Sequence, residues 1–204
     1  MTSEETERRE QIVDAAFVEF AHKGFRGATI KSIAKAAGLQ APSLIYWYFP
    51  TKEALFQAVV ESRSPFLRMV FEPGTLMERP PEEVFLALAR SYFEMVEQSE
   101  LPRLARLVLS EIVRRPHMAD MMAEKFLLRV LNFLKTYLAH QVELGRLRSH
   151  DTRASARAFI GMLIPQALSL LLFPAIQQDG LTSEEHLRTA VTIFLHGLAP
   201  TNRE

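Results

Sequence analysis

The sequence predicts an all-α protein, and three observations support that fold class. Apolar residues recur at helical spacing through most of the 204-residue chain. Glycine, proline and threonine stand where these apolar segments begin and end. We find no run of alternating apolar and polar residues long enough for a useful strand. The length allows one large domain or two small ones, with ample material for a core.

The first helix and the second are marked by their apolar stripes and their end signals. Apolar residues from Ile12 to Ala21 repeat at helical spacing, and Gly24 supplies a stop. Thr29 can then cap a second helix, which Gly38 ends after about two turns.

A third short helix is predicted from about residue 41 to residue 48, because Pro50 disfavours helical geometry at Phe49. Thr51 caps a fourth helix whose apolar stripe begins at Leu55. Two short helices joined by the turn "AGLQAP" form a helix-turn-helix pattern. The third helix is therefore the candidate recognition element.

The remainder of the chain predicts further helices and no flexible interdomain linker. The segment 72–83, "EPGTLMERPPEE", contains three prolines and a glycine and is typical of a connection between helices. Patterned helices follow at about residues 82–99, 102–114, 118–146, 152–178 and 183–198.

Residues 158–176 run for nineteen positions without a charge, close to the length that spans a membrane. Pro165, Pro174 and Gln166 weaken that interpretation, and no second such segment exists. The favoured alternative is a helix that is apolar on all sides because it packs on its own domain and on a second subunit. Six residues are the predicted dimer contacts: Phe159, Leu163, Ala167, Leu171, Ile193 and Phe194.

Composition excludes some classes of site and points to a polyanion partner. The chain has no cysteine, which excludes disulfides and thiolate metal sites. The acidic start "MTSEETERREQ" is unlike a secretory signal, so we expect a cytoplasmic protein. The net charge is zero, yet no acidic residue lies between Phe20 and Lys52. Five cations in that window suggest a polyanion footprint, and a solvated surface is the alternative: Lys23, Arg26, Lys31, Lys35 and Lys52.

An enzyme is not predicted. Ser43, Tyr48 and Lys52 match the serine and tyrosine-x-x-x-lysine of short-chain dehydrogenases. Such enzymes need a glycine-rich turn between a strand and a helix, and the eight glycines never form one. The six histidines lack short metal-ligand spacings. We therefore expect neither a metal nor a cofactor.

Four aromatic rings stand in a row at residues 46–49, and on a helix they must point in different directions. Phe49, four residues after Ile45, is expected to face the core, which leaves the other rings for phosphate oxygens. The start of a recognition helix usually faces base edges, and Gln40, Pro42, Ser43 and Leu44 hold that position. Thr29 and Lys52 stand at helix starts, which favour anions.

Residues 29–56, "TIKSIAKAAGLQAPSLIYWYFPTKEALF", resemble the DNA-binding signature of the tetracycline-repressor (TetR) family of bacterial regulators. The resemblance extends over about residues 8–60. Leu44 stands where the family often has a small polar residue, Tyr48 replaces its usual histidine, and Pro50 is a further departure. The resemblance implies DNA contacts at Thr29, Gln40, Pro42, Ser43, Tyr46, Trp47, Tyr48 and Lys52, to which the position of Leu44 adds a ninth candidate.

The resemblance implies a DNA-binding domain at residues 1–52 and a helical ligand-binding and dimerisation domain at residues 53–204. The expected protein is a homodimeric repressor, released from a palindromic operator by a small apolar or amphipathic effector. The alternative is an interaction or membrane-associated protein that docks through the aromatic window and residues 158–176. Nine residues are pocket candidates, although each also fits an ordinary core: Tyr92, Phe93, Met95, Met122, Phe126, Phe133, Tyr137, Met162 and Gln166.

Overall fold

The computed structural model describes residues 3–71, 73–97, 106, 109 and 116–200, and no strand occurs among them. The all-α class is confirmed. The described residues divide into two compact units, one containing residues 3–64 and the other residues 65–97 and 116–200. The helix predicted at 102–114 lies almost wholly outside the described residues.

Helix α1 spans Ser3–Gly27, so it begins well before the apolar stripe that predicted it. Glu4 and Glu5 in its first turn are favourable near the positive end of the helix dipole. Gly24 interrupts the helix with a φ of 73°, a conformation that favours glycine, and the chain resumes a helical turn after it. The predicted stop is therefore a kink.

Helix α2 spans Ile30–Ala36 and follows the predicted signals. Thr29 and Ser32 form a reciprocal capping box at its start. At its end Gly38 has a φ of 67°, and the next amide, of Leu39, donates to the carbonyl of Ala34 at 2.9 Å.

The recognition element has two parts instead of one helix. Residues Pro42–Leu44 form a 3-10 turn, and helix α3 spans Ile45–Tyr48. Ala41 has no side-chain oxygen with which to cap an α-helical start, which fits the tighter turn. Helix α4 spans Lys52–Ser62 and is capped by the hydroxyl of Thr51, as predicted.

Three phenylalanine rings form the centre of the first unit. Phe20, Phe25 and Phe56 lie with ring centroids 5.1–5.6 Å apart, and they join α1 to α4. Helix α4 thus packs with α1 in the same unit, which extends to Ser64. The functional division after residue 52 stays a prediction.

The second unit contains six helices in its described part. They are α5 Pro65–Phe71, α6 Pro81–Glu97, α7 Pro116–Met122, α8 Leu128–Glu143, α9 Thr152–Leu171 and α10 Ser183–Leu198. Residues Ala123–Leu127 form a π-helical segment between α7 and α8, and Gly74–Glu78 form a 3-10 turn before α6. The predicted helix at 118–146 is thus an α-helix, a π-helical segment and a second α-helix.

Phe85 of α6 is the centre of the second core. Its ring centroid lies 5.8 Å from that of Tyr137, 4.5 Å from that of Phe159 and 5.0 Å from that of Phe194. These rings come from α8, α9 and α10, so one aromatic cluster ties four helices together.

Helix α9 ends at Leu171, seven residues before the predicted end. Pro174 disfavours helical geometry at Phe173, and the chain turns into a 3-10 segment at Pro174–Asp179. Pro165 lies inside α9 without ending it. Helix α10 has the predicted bounds and begins with a capping box between Thr182 and Glu185.

Candidate functional site

The rings of the recognition element divide between the core and the surface as predicted. Phe49 is 2% exposed and Ile45 is fully buried, whereas Tyr46 is 52% exposed and Trp47 is 85% exposed. Tyr48 is half-buried. The buried pair anchors the short helix, and the exposed pair faces solvent.

The residues predicted to face base edges lie mostly at the surface. Gln40, Pro42 and Ser43 are exposed, and Leu44 is half-buried. The side chains of Gln40 and Ser43 can donate to or accept from a base, and the methyl groups of Leu44 can contact a thymine methyl. The 3-10 turn Pro42–Leu44 directly precedes the exposed rings along the chain.

Local contacts hold both Thr29 and Lys52, which the sequence predicts as phosphate contacts. The Thr29 hydroxyl oxygen accepts from the amide of Ser32 at 3.0 Å, so its proton can still be donated. The half-buried Lys52 has its Nζ 4.6 Å from the ring centroid of Phe25. Both side chains stand at the start of a helix.

The positive charge of Lys23 is paired with a carboxylate, which the acid-free window of the sequence did not indicate. Its Nζ lies 2.8 Å from a carboxylate oxygen of Glu19, one turn earlier on α1. The hydrogen bond from Lys23, with a second from Ser32, holds the pKa of Glu19 below its usual value. The acid that balances this lysine lies just outside the acid-free window.

Arg9 is a cation near the recognition element that sequence reasoning missed. Its guanidinium carbon lies 5.0 Å from the ring centroid of Phe49, the residue that caps the end of α3. Arg9 belongs to an acidic stretch of α1, forty positions from its ring partner. No local sequence pattern connects two residues so far apart.

Three of the pocket candidates meet at the first turn of α10. The ring of Phe93 lies edge-on to His186 at 6.0 Å between centroids. The Nε2 atom of His186 lies 2.7 Å from the carbonyl oxygen of Met162, and that nitrogen must carry the proton for a hydrogen bond to form. The buried side chain of Gln166 donates to the hydroxyl of Ser183 at 3.4 Å.

The ring of Tyr92 extends this group of side chains towards α5. It lies 5.5 Å from the ring of Phe93 and 5.7 Å from that of Phe66. Burial raises the pKa of Tyr92, so its hydroxyl stays protonated at neutral pH.

The other five pocket candidates belong to the core or its edge. Tyr137 is fully buried, and its hydroxyl donates to the carbonyl of Arg79 at 2.8 Å. Burial raises the pKa of Tyr137. Phe133 stacks on that ring at 6.1 Å. Phe126 is buried, and Met95 and Met122 are half-buried.

A cleft of about 280 Å³ lies between α6 and α10, away from the nine pocket candidates. Apolar side chains and the charged ends of Glu82 and Arg188 line it. The nine candidates contribute nothing to this cleft. Across the described residues, no group of three or more histidine, aspartate or glutamate side chains could hold a metal ion.

The choice of dimer residues on α9 and α10 needs correction. Phe159, Leu163, Ala167, Leu171 and Phe194 are all buried within their own unit. Because these side chains pack in the core of the single chain, they offer little surface to a second subunit.

Three exposed apolar side chains of this region stand directly beside these buried residues in the sequence. Ile193 of α10 is 60% exposed, Ile164 of α9 is 43% exposed, and Leu172 is 42% exposed. In the described part α9 is the helix long and apolar enough to cross a membrane by length and composition, which is weak evidence by itself. Its other side packs on α6, α8 and α10.

Comparison with known proteins identifies relatives of both units. Residues 12–59 match the family described as bacterial regulatory proteins, tetR family. Residues 83–197 match the AefR-like transcriptional repressor, C-terminal domain. The chain is 27% identical over 162 residues to SrpR, an HTH-type transcriptional regulator of Pseudomonas putida, and the match covers 79% of this chain and 74% of SrpR.

Solved structures share the fold along nearly the whole chain. A TetR-family transcriptional regulator from Mesorhizobium loti MAFF303099 superposes with a TM-score of 0.75 at 24% identity, covering 98% of this chain and 100% of the other. SmeT of Stenotrophomonas maltophilia, in its complex with triclosan, superposes with a TM-score of 0.74 at 21% identity, covering 96% and 93%.

Proposed function

This chain belongs to the tetR family of bacterial regulatory proteins and is a transcriptional regulator, not an enzyme. We propose that it is a homodimeric repressor that a small effector releases from DNA. The observation that carries the proposal is the division of the side chains at residues 45–49: Ile45 and Phe49 are buried, whereas Tyr46 and Trp47 are exposed. An indole that is 85% exposed beside a polar turn is suited to a partner's surface.

DNA is the partner that the exposed groups fit best. Tyr46, Trp47 and Tyr48 carry O–H or N–H donors at their tips, which suits phosphate oxygens. Thr29 and Lys52 add donors at two helix starts. These five residues would fix the position of the protein on the duplex.

Base recognition falls to the turn that precedes α3. Gln40 and Ser43 can exchange hydrogen bonds with base edges, while Pro42 and Leu44 offer apolar contact to a thymine methyl. Two copies in a symmetric dimer would read a palindrome whose half-sites lie about one DNA turn, ~34–36 Å, apart or a multiple of it.

The dimer would form through the exposed side of α9 and α10. Ile164, Leu172 and Ile193 are large apolar side chains in contact with solvent in the single chain. A second copy that covers this surface would remove them from water. Such a dimer would be soluble and, as a regulator that binds DNA, would act in the cytoplasm, and the family assignment disfavours a membrane-docking protein.

The effector is proposed to bind within the second unit, beside Pro165. Proline gives no amide proton to the Gly161 carbonyl, which loosens α9 locally. Met162 and Gln166 on either side of it bond to His186 and Ser183 of α10. An apolar or amphipathic molecule that enters here would change these bonds. The SmeT complex with triclosan supports this class of ligand by analogy.

Selection of bound fragments from random duplex DNA tests the DNA-binding step. A recovered palindrome would support a symmetric repressor, and the absence of any enriched sequence would contradict specific binding. Calorimetry with triclosan, with and without that operator, tests the effector step. A coupled effector changes its affinity by roughly 5- to 150-fold when DNA is bound, whereas equal affinities would exclude control from this site.

A further inference from the structure

We propose that Arg9 is a DNA-binding residue, and that the ring of Phe49 holds its guanidinium ready to contact a backbone phosphate at the C-terminal end of the recognition helix. The inference rests on the proposed DNA-binding function and adds a residue from α1 to it. Its basis is a single contact, 5.0 Å from the Arg9 guanidinium carbon to the Phe49 ring centroid.

The first step is where the ring lies. Phe49 directly follows Tyr48, the last residue of α3, and its side chain is 2% exposed. Consecutive Cα atoms are about 3.8 Å apart, so a group seated on Phe49 lies close to the end of the recognition helix. Arg9 is itself half-buried, which shows that the side chain is packed and not extended into solvent.

The second step is what the guanidinium still offers. A stacked guanidinium uses its face, while its five N–H donors point outward from its edge. Among residues 3–71, the Arg9 guanidinium makes no hydrogen bond or ion pair to a carboxylate or a carbonyl. Its neighbour Arg8, by contrast, donates to the side chain of Gln11 at 3.1 Å.

The third step is the geometry of the groove. A helix in the major groove, about 12 Å wide, is flanked by the phosphates of both strands. The hydroxyl of Thr29, before α2, and the ammonium of Lys52, on α4, are the phosphate contacts already proposed from these helices. With Arg9, a third helix, α1, also contributes a group that can contact the phosphates of DNA. A fork of donors is well matched to a phosphate.

The consequence is a sequence-independent contribution to affinity. Each neutralised phosphate contributes about 0.9 to the slope of log K against log salt, so Arg9→Ala should lower the slope by about 0.9 per half-site and about 1.8 per dimer. Affinity at low salt should fall by at least about tenfold on every duplex. The preference between sequences should be unchanged.

Arg129→Ala is the matched control, because Arg129 stacks on Phe71 at 3.4 Å in the second unit. It removes the same charge and the same kind of ring contact. Arg9→Lys is the second variant, since it keeps the charge but loses the fork. We expect Arg9→Lys to retain most of the salt slope while binding more weakly, and Arg129→Ala to match the unaltered protein.

Filter or fluorescence titration from 50 to 300 mM KCl, on the selected operator and on a random duplex, measures these values. Thermal melts confirm that each variant is folded. An unchanged slope for Arg9→Ala overturns the phosphate contact, and an affinity loss with that unchanged slope assigns Arg9 to the packing of Phe49 instead. If the unaltered protein binds no duplex, the proposed function fails as well, so the two failures are distinguishable.

Discussion

Two adjacent residues of α9 separate the core of the single chain from the proposed dimer surface. Leu163 is 2% exposed, whereas Ile164 is 43% exposed. Replacing each in turn by glutamate places the same charge one residue apart on the helix. We expect Leu163→Glu to unfold the second unit and Ile164→Glu to dissociate the dimer.

The magnitudes follow from burial. Loss of a buried leucine side chain costs about 2–5 kcal/mol before any cost of placing a carboxyl group in the core. Total stability is typically about 5–15 kcal/mol, so Leu163→Glu removes a large part of it. At Ile164, an exposed position, the effect on the single chain should stay within about 0.5 kcal/mol.

The dimer should respond differently to Ile164→Glu. Covering the 43% of Ile164 that remains exposed contributes about 1 kcal/mol per subunit, scaled from ~1.5–3 kcal/mol for a whole aliphatic side chain. Stripping water from a carboxylate costs several kcal/mol more in each copy. A total above ~4 kcal/mol weakens association about a thousandfold.

Sedimentation velocity and thermal melting together decide the matter. The expected result for Ile164→Glu is a folded monomer that melts cooperatively, at a temperature lowered only by the loss of the dimer. The expected result for Leu163→Glu is a destabilised or aggregated protein. A stable dimer of Ile164→Glu would place the interface elsewhere. A well-folded Leu163→Glu would contradict the buried position of that side chain.

Three further predictions concern DNA contacts and acid stability. Lys52→Ala should weaken binding equally on all sequences and lower the salt slope by about 0.9 per half-site, and an unchanged slope in titrations would remove Lys52 from the phosphate contacts. Ser43→Ala should change sequence preference by ~1–3 kcal/mol at one base pair, which competition with single-base operator variants measures. Hydrogen bonds from Arg90, with further pairing to Arg188, hold the pKa of Glu184 below its ordinary value of 4.5. A carboxylate whose pKa is lowered by folding stabilises the folded state above its unfolded pKa, and that stability is lost as the pH falls through the folded pKa. Glu184→Gln should therefore flatten the loss of folding stability below about pH 4.5. Identical acid unfolding curves would contradict the pairing.

Helix boundaries were predictable where the signal is local. Thr29, Gly38 and Thr51 act on amides and carbonyls within four residues, and each behaves as the sequence indicates. The burial of Phe49 beside exposed Tyr46 was predictable for the same reason, since helical spacing relates them to Ile45.

The direction of the side chains on α9 was not predictable. Both sides of this helix are apolar, so periodicity gives no preference between Leu163 and Ile164. Only packing against α6, α8 and α10 decides which side is the core. The end of α9 was misjudged because Pro165 is tolerated inside the helix while Pro174 ends it.

The cations of the first unit differ in what holds them, and that difference decides which of them DNA can recruit. Lys23 is paired with Glu19, so a phosphate would have to compete with a carboxylate 2.8 Å away. An aromatic ring orients a cation that lies over it, and the cation's N–H groups remain able to donate to an anion. Arg9 on Phe49 has that arrangement, and Phe49 is also the residue that fixes the end of the recognition helix. One buried ring therefore couples the position of a base-reading helix to the position of a phosphate-binding cation, although forty residues separate the two in the sequence.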